Sequence, residues 1–146
     1  VLQSEMAEVV RAAGVVVYRR AAAGVEFLLL QASYPPHHWT PPKGHVDPGE
    51  DEWTAALRET KEEAGIDSSQ LDVHVDCHET LSYTAHGKQK TVKYWLARLK
   101  GDGDVLLSHE HQKWKWTALE DAVKIADYAE MGALLRKFSA FLNSST

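Results

Sequence analysis

Only one cysteine, Cys77, occurs in the 146 residues, so no internal disulfide is available. A chain of this length buries roughly 70% of the surface its unfolded form exposes, enough for a core without a covalent staple. A thiol without a partner suits a reducing compartment, so a cytoplasmic home, equally compatible with the nucleus, is expected. No signal peptide is read and no apolar run has the length of a bilayer span. The longest such runs, Val15–Tyr18 and Phe27–Leu30, have the length of buried strands. Positive charge is also scarce: 16 Lys and Arg face 21 Asp and Glu, a net charge of −5. That balance disfavours general affinity for nucleic acid, so neither a stable nucleic-acid partner nor a membrane is expected. A small polyanion remains compatible wherever Lys and His gather in one cleft. Repeats and low-complexity stretches are missing too. One domain over residues 9–146 is expected, working as a monomer, with residues 1–8 a disordered or cloning-derived extension.

What is present has a clear order. Val9–Arg20 and Val25–Ser33 are β-branched and apolar, and predict two strands joined by the small residues Ala21 to Gly24. All five prolines fall between Tyr34 and Gly49, which predicts a stiff, structured loop, since proline fixes φ and donates no hydrogen bond. A helix is expected to begin near Gly49–Asp51, with Glu50, Asp51 and Glu52 at the positive end of its dipole, and to stop at Gly65. Leu71–Thr84 and Thr91–Leu99 predict strands, with Ala85–Lys90 as the turn between them. Gly101 to Asp104 predicts a turn, His111–Trp116 a short strand and Leu119–Ala126 a helix. From Tyr128 to Leu142, Met131, Leu134, Leu135, Phe138, Phe141 and Leu142 recur at helical spacing and give one apolar face. Strands segregated from a few helices predict an α+β sandwich.

The helix after Glu50 carries the chemistry. At 100° per residue, Trp53, Leu57, Thr60 and Ala64 share a side suited to packing on the sheet. Glu52, Glu59, Glu62 and Glu63 fall on a neighbouring side. Glu59 stands three residues before Glu62 and four before Glu63, so these carboxylates crowd one another. Taken alone, such a cluster reads either as a solvated acidic face or as the ligand set of a hard cation such as magnesium, calcium or manganese.

The wider spacing carries more. Gly44, Glu50, Arg58-Glu59, Glu62-Glu63 and Gly65-Ile66 together resemble the full Nudix box, with one departure: Thr60 stands where an aliphatic residue is usual. Thr60 keeps a methyl and a breadth near that of valine. The resemblance implies a Nudix fold, a mixed β-sheet sandwiched between helices with a catalytic loop–helix–loop. It further implies that Glu59, Glu62 and Glu63 bind metal, with the backbone carbonyl of Gly44 as a candidate fourth ligand. The cation expected is Mg2+, with Mn2+ as a substitute. Arg58 is expected to orient a catalytic carboxylate and to pair with Glu50. Glu59 is favoured as the base that takes a proton from water, with Glu63 and Glu110 as alternatives.

Residues outside the box bear on the substrate. The run from Trp39 to His45, with Tyr34, His37 and His38 before it, His109-Glu110-His111 after it and Tyr128-Ala129-Glu130 near the end, resembles the animal-type diadenosine tetraphosphate hydrolases that cleave asymmetrically. The likeness extends from about Arg11 to Leu142 and implies a reaction yielding ATP and AMP from a dinucleoside polyphosphate. It also implies a place near the metal for Glu110. A substrate with two flat purines and a long polyphosphate needs aromatic faces and cations. Tyr34, Tyr83 and Tyr128 are candidate stacking platforms, and His38, Lys43, Lys88 and Lys90 candidate phosphate contacts. The alternatives are a Nudix hydrolase of inositol pyrophosphates, capped RNA or a damaged nucleoside triphosphate, and a non-catalytic nucleotide-binding domain. Trp114 and Trp116 read as core. His74 and His78 are expected to share a strand face with Cys77 pointing away. No second ligand pair accompanies them, so zinc is not expected.

Overall fold

Alternation along the strands decides the architecture. In the computed structural model, which describes residues 9–85 and 87–144, strand β1 (Val9–Ala21) is buried without interruption from Ala12 to Tyr18. Successive side chains point to opposite faces, so both faces of this strand are covered. Ala12, Val16 and Tyr18 enter one core with Phe27, Leu29, Val92, Tyr94 and Leu96; Ala13, Val15 and Val17 enter a second with Leu28, Leu30, Ala97 and Leu99. The extension expected at 1–8 lies outside the described residues.

The other strands are β2 (Gly24–Ala32), β3 (Trp39–Thr40), β4 (Lys43–His45), β5 (Leu71–Ala85), β6 (Lys88–Leu99) and β7 (His111–Thr117). They form one mixed sheet in the order β3-β2-β1-β6-β5, with β4 paired to β1 and β7 to β2. Among the described residues only the pairing of β1 with β6 is parallel. Helix α1 (Glu52–Ala64) covers the second core; α2 (Leu119–Ala126) and α3 (Ala129–Ser144) cover the first. Among the described residues no helix is long and apolar enough to cross a membrane.

Several expectations are corrected. The proline-rich loop contains β3 and β4, two short strands flanking Pro41 and Pro42, whose missing N–H groups fall between the paired segments. Lys88 and Lys90 stand on β6, opposite Ala85 and Tyr83, because the β5–β6 ladder runs to the end of the hairpin. A bulge in β5 lets residues 75–77 go unpaired between His74 and His78. The extra residues reverse the alternation. His74 meets Phe141 edge-on and stacks beside Tyr18, whose hydroxyl it hydrogen-bonds at 2.6 Å, and Cys77 is buried in the same core, whereas His78 lies against Trp95 on the other face. Trp114 is 49% exposed: two residues before Trp116 on the same strand, it lies beyond the second core, beside the exposed Leu106. On α1, Ala55 and Ala56 are fully buried beside Thr60 and Ala64, while Trp53 and Leu57 are half-buried at the margin.

Candidate active site

Helix α1 is fixed at both ends. The Asp51 carboxylate accepts the Thr54 N–H at 2.7 Å, and Gly65 closes the helix with φ 70°, a left-handed conformation that favours glycine. Its side is pressed against β4, where Gly44 faces Glu59 so closely that a methyl at Gly44 would overlap the carboxylate. The glycine of the box therefore lets the Glu59 carboxylate lie where it does. Thr60 is buried, and its hydroxyl donates to the Ala56 carbonyl at 2.7 Å, which satisfies the polar atom brought by the departure from the family pattern.

Arg58 organises the rim. Its Nε and Nη2 donate to the two oxygens of Glu50 at 2.8 and 2.9 Å, and Nη2 also donates to the His45 carbonyl at 3.0 Å. Nη1 reaches Glu62 at 3.3 Å and lies 3.5 Å from Glu59. The guanidinium, aided by the Asp47 N–H, holds the Glu50 carboxyl at about 2. The same hydrogen bonding pushes Arg58 up. Glu50 thus stays an anion and locks the arginine in place beside the other carboxylates.

Glu59 and Glu63 behave differently. Burial is the first cause that pushes Glu63 up to about 7, resisted by the Lys43 N–H at 3.0 Å and increased by the charges of Glu59 and Glu110. Glu59 rises to about 7 as well, through burial first, then its hydrogen bond with Glu62 and the charges of Glu62 and Glu110. Glu52, which shares their helical stripe, pairs with Arg11 at 3.4 Å and stays out of the cluster. The segment bearing Glu110 is held against α1 by main-chain bonds. Leu106 N–H donates to the Ala64 carbonyl at 2.8 Å and Ser108 N–H to that of Glu63 at 3.3 Å.

These groups line one cleft with two chambers. The first, about 500 Å³, is walled by Tyr34, His38, Thr40, Tyr83, His111, Tyr128 and Glu130. The second, about 480 Å³, holds Gly44, Arg58, Glu59 and Glu62. Tyr34, Lys43, Glu63, Lys90 and Glu110 line both. Burial pushes the Tyr83 and Tyr128 phenols up, so both stay neutral faces. Burial, then the charge of Lys43, lowers Lys90, whose Nζ lies 5.9 Å from the Tyr83 ring centre. Lys88 is exposed and lines neither chamber. Sequence reasoning singled out neither Thr40, His45, His111 nor Glu130 as lining residues. His111 adjoins Glu110 in the His109-Glu110-His111 run, and its buried Nδ1 has no hydrogen-bond partner among the described residues.

A divalent cation fits this donor set. The ligands on offer are hard carboxylate oxygens that repel one another without a counter-charge. Among the described residues no three acidic or histidine side chains converge into a ready-made cage. An open array of carboxylates beside a cleft suits a cation shared with phosphate oxygens rather than one wrapped by protein alone.

Comparison with known proteins shows the family and the fold. The family described as NUDIX domain matches residues 9–138. A Caenorhabditis elegans protein, bis(5'-nucleosyl)-tetraphosphatase [asymmetrical], is 75% identical over 134 residues, covering 92% of this chain and 97% of its own. The Sus scrofa protein of the same description is 48% identical over 141 residues, covering 92% of this chain and 96% of its own. The crystal structure of a C. elegans Ap4A hydrolase binary complex superposes with a TM-score of 0.91 at 74% identity, over 92% of this chain and 98% of that one.

Proposed function

We propose that this chain, which belongs to the Nudix family, hydrolyses diadenosine tetraphosphate asymmetrically to ATP and AMP. The observation that carries this reading is the joining of a tyrosine-lined chamber to a carboxylate-lined one through Lys43 and Lys90. One adenosine stacks on Tyr83 and Tyr128, with Tyr34 at the mouth, and the polyphosphate runs past His38, Lys43 and Lys90 toward Glu59. Lys88 lies outside the cleft. A base-free inositol pyrophosphate would leave Tyr83 and Tyr128 unused.

Nudix hydrolases generally use a divalent metal; we read it here as Mg2+, with Mn2+ as a substitute, held by Glu59, Glu62, Glu63, Glu110 and the Gly44 carbonyl. When bound, it supplies charge that neutralises the phosphates and makes water easier to deprotonate. Glu59 takes the proton as water's oxygen bonds to phosphorus and the P–O–P bridge breaks. Arg58 keeps Glu59 and Glu62 aimed inward. The close homologues share the asymmetric description; a cleft lined by residues of one chain supports a monomer, and the single unpaired cysteine supports the cytoplasm or nucleus.

Product chromatography tests the proposal. Diadenosine tetraphosphate with Mg2+ should give equal ATP and AMP, and in oxygen-18 water the label should enter one product only. Two molecules of ADP would refute the asymmetric assignment.

A further inference from the structure

Ser33 sits where β2 ends, far in sequence from the carboxylates, yet it bonds twice to the segment that carries Glu110. Its N–H donates to the Glu110 carbonyl at 2.9 Å. Its Oγ donates to the His109 carbonyl at 2.8 Å. The next residue, Tyr34, lines both chambers of the cleft. The loop that follows is closed on itself: Ala32 N–H donates to the His38 carbonyl at 2.9 Å, and His37 Nδ1–H to the Ala32 carbonyl at 3.0 Å. Ser33 is therefore the point at which a self-braced loop bearing Tyr34 and His38 is tied to the loop bearing Glu110.

We infer that Ser33 is a positioning residue, which acts through Glu110 by fixing that carboxylate relative to Glu59, Glu63 and the adjoining substrate loop. The inference rests on the proposed role of Glu110 in the carboxylate chamber. The N–H bond survives any substitution except proline, so the side-chain bond to the His109 carbonyl is the part that can be tested. Without it, residues 109–110 keep one tether to β2 instead of two. Misplacing a catalytic group by a fraction of an ångström is costly to rate, while the single exposed hydrogen bond matters little to folding.

The test is a double-mutant cycle on the full chain with Ser33→Ala and Glu110→Gln, plus Ser33→Thr, which retains the hydroxyl. Two quantities are read: kcat on a phosphoanhydride substrate, and the affinity for Mn2+ alone by direct titration. Ser33→Ala should lower kcat and Mn2+ affinity each by roughly three- to tenfold, the size of one lost hydrogen bond. Ser33→Thr should restore both, and Ser33→Ala should add nothing once Glu110→Gln is present. Independent, multiplying losses in the double variant would overturn the inference, as would failure of threonine to rescue. A Glu110→Gln variant indistinguishable from the parent in both readouts would remove its foundation. None of these outcomes depends on which dinucleotide is cleaved or which products appear, so the assignment of substrate stands or falls separately.

Discussion

Glu63 is 9% exposed, and its side chain approaches the Lys43 N–H from inside the fold. A carboxylate in such a place is held there for its charge, since an amide of the same shape would be easier to bury. Glu63→Gln should therefore cut turnover by roughly 10²-fold or more, in line with loss of a positioned carboxylate. The amide oxygen can still accept from Lys43, so the fold should persist, and at pH 8 without divalent metal the variant should melt no lower than the parent. Initial rates and thermal melts on the same preparation check both halves; near-normal turnover would remove Glu63 from the site. Gly44 is the complementary case. Gly44→Ala drives a methyl into the Glu59 carboxylate, which can yield by swinging away rather than by straining the core. Urea unfolding should therefore change little, while turnover should fall as Glu59 is displaced. A variant as active as the parent would mean that the place of Glu59 against Gly44 does not matter to the reaction.

At the scale of elements, long periodic segments were readable and short or irregular ones were not. The strands β1 and β2 announced themselves through unbroken apolar runs, because a strand covered on both faces has no polar side to show. Helix α1 was legible from the acidic residues at its start, its terminal glycine and its box; that Asp51 is its cap was not. The short strands β3 and β4 were not, since two or three residues carry no period, and their pairing is decided by β1 and β2 from a distance. The bulge in β5 was equally hidden, and it overturned the facing of His74, Cys77 and His78. Within the site, Glu59, Glu62 and Glu63 were marked by the resemblance to the Nudix box, since their clustering taken alone fits a solvated acidic face as well. That Glu52 departs from them was not legible: it shares their stripe but lies about 10 Å back along the axis from Glu59, where Arg11 takes it. Thr60 offers a test of α1 as an element. Its hydroxyl donates to a carbonyl that the helix already uses, so Thr60→Val removes little. The melting temperature should move by only a few degrees, with activity retained; a collapse of either would show that the hydroxyl holds more than the Ala56 carbonyl.

For the whole molecule, the raised carboxyls link stability, pH and metal. Between about 4.5 and about 7, Glu59 and Glu63 hold protons in the folded chain that they would have lost in the unfolded one. The folded state binds more protons there, so metal-free stability falls as pH rises through this window and levels off above it. Glu50 and Asp67, both held at about 2, act with the opposite sign and in a lower range: their contribution is complete above about 4.5 and is lost as pH drops toward 2. Burial lowers His45 and His111, and these add a rise with pH below 6.5 that partly masks the fall. Comparing the parent with Glu63→Gln cancels the histidines. The parent should lose melting temperature relative to the variant between pH 5 and pH 8 in a chelator. Mg2+ binds the ionised carboxylates, so it should raise the parent's melting temperature more at pH 8 than at pH 5 and leave Glu63→Gln less affected. Below pH 7 binding should also release protons, visible in titration calorimetry as heats that change with the ionisation enthalpy of the buffer. Parallel melting curves for parent and variant, together with buffer-independent heats, would mean that these two carboxyls ionise freely without a cation, and the electrostatic basis of the site would fail.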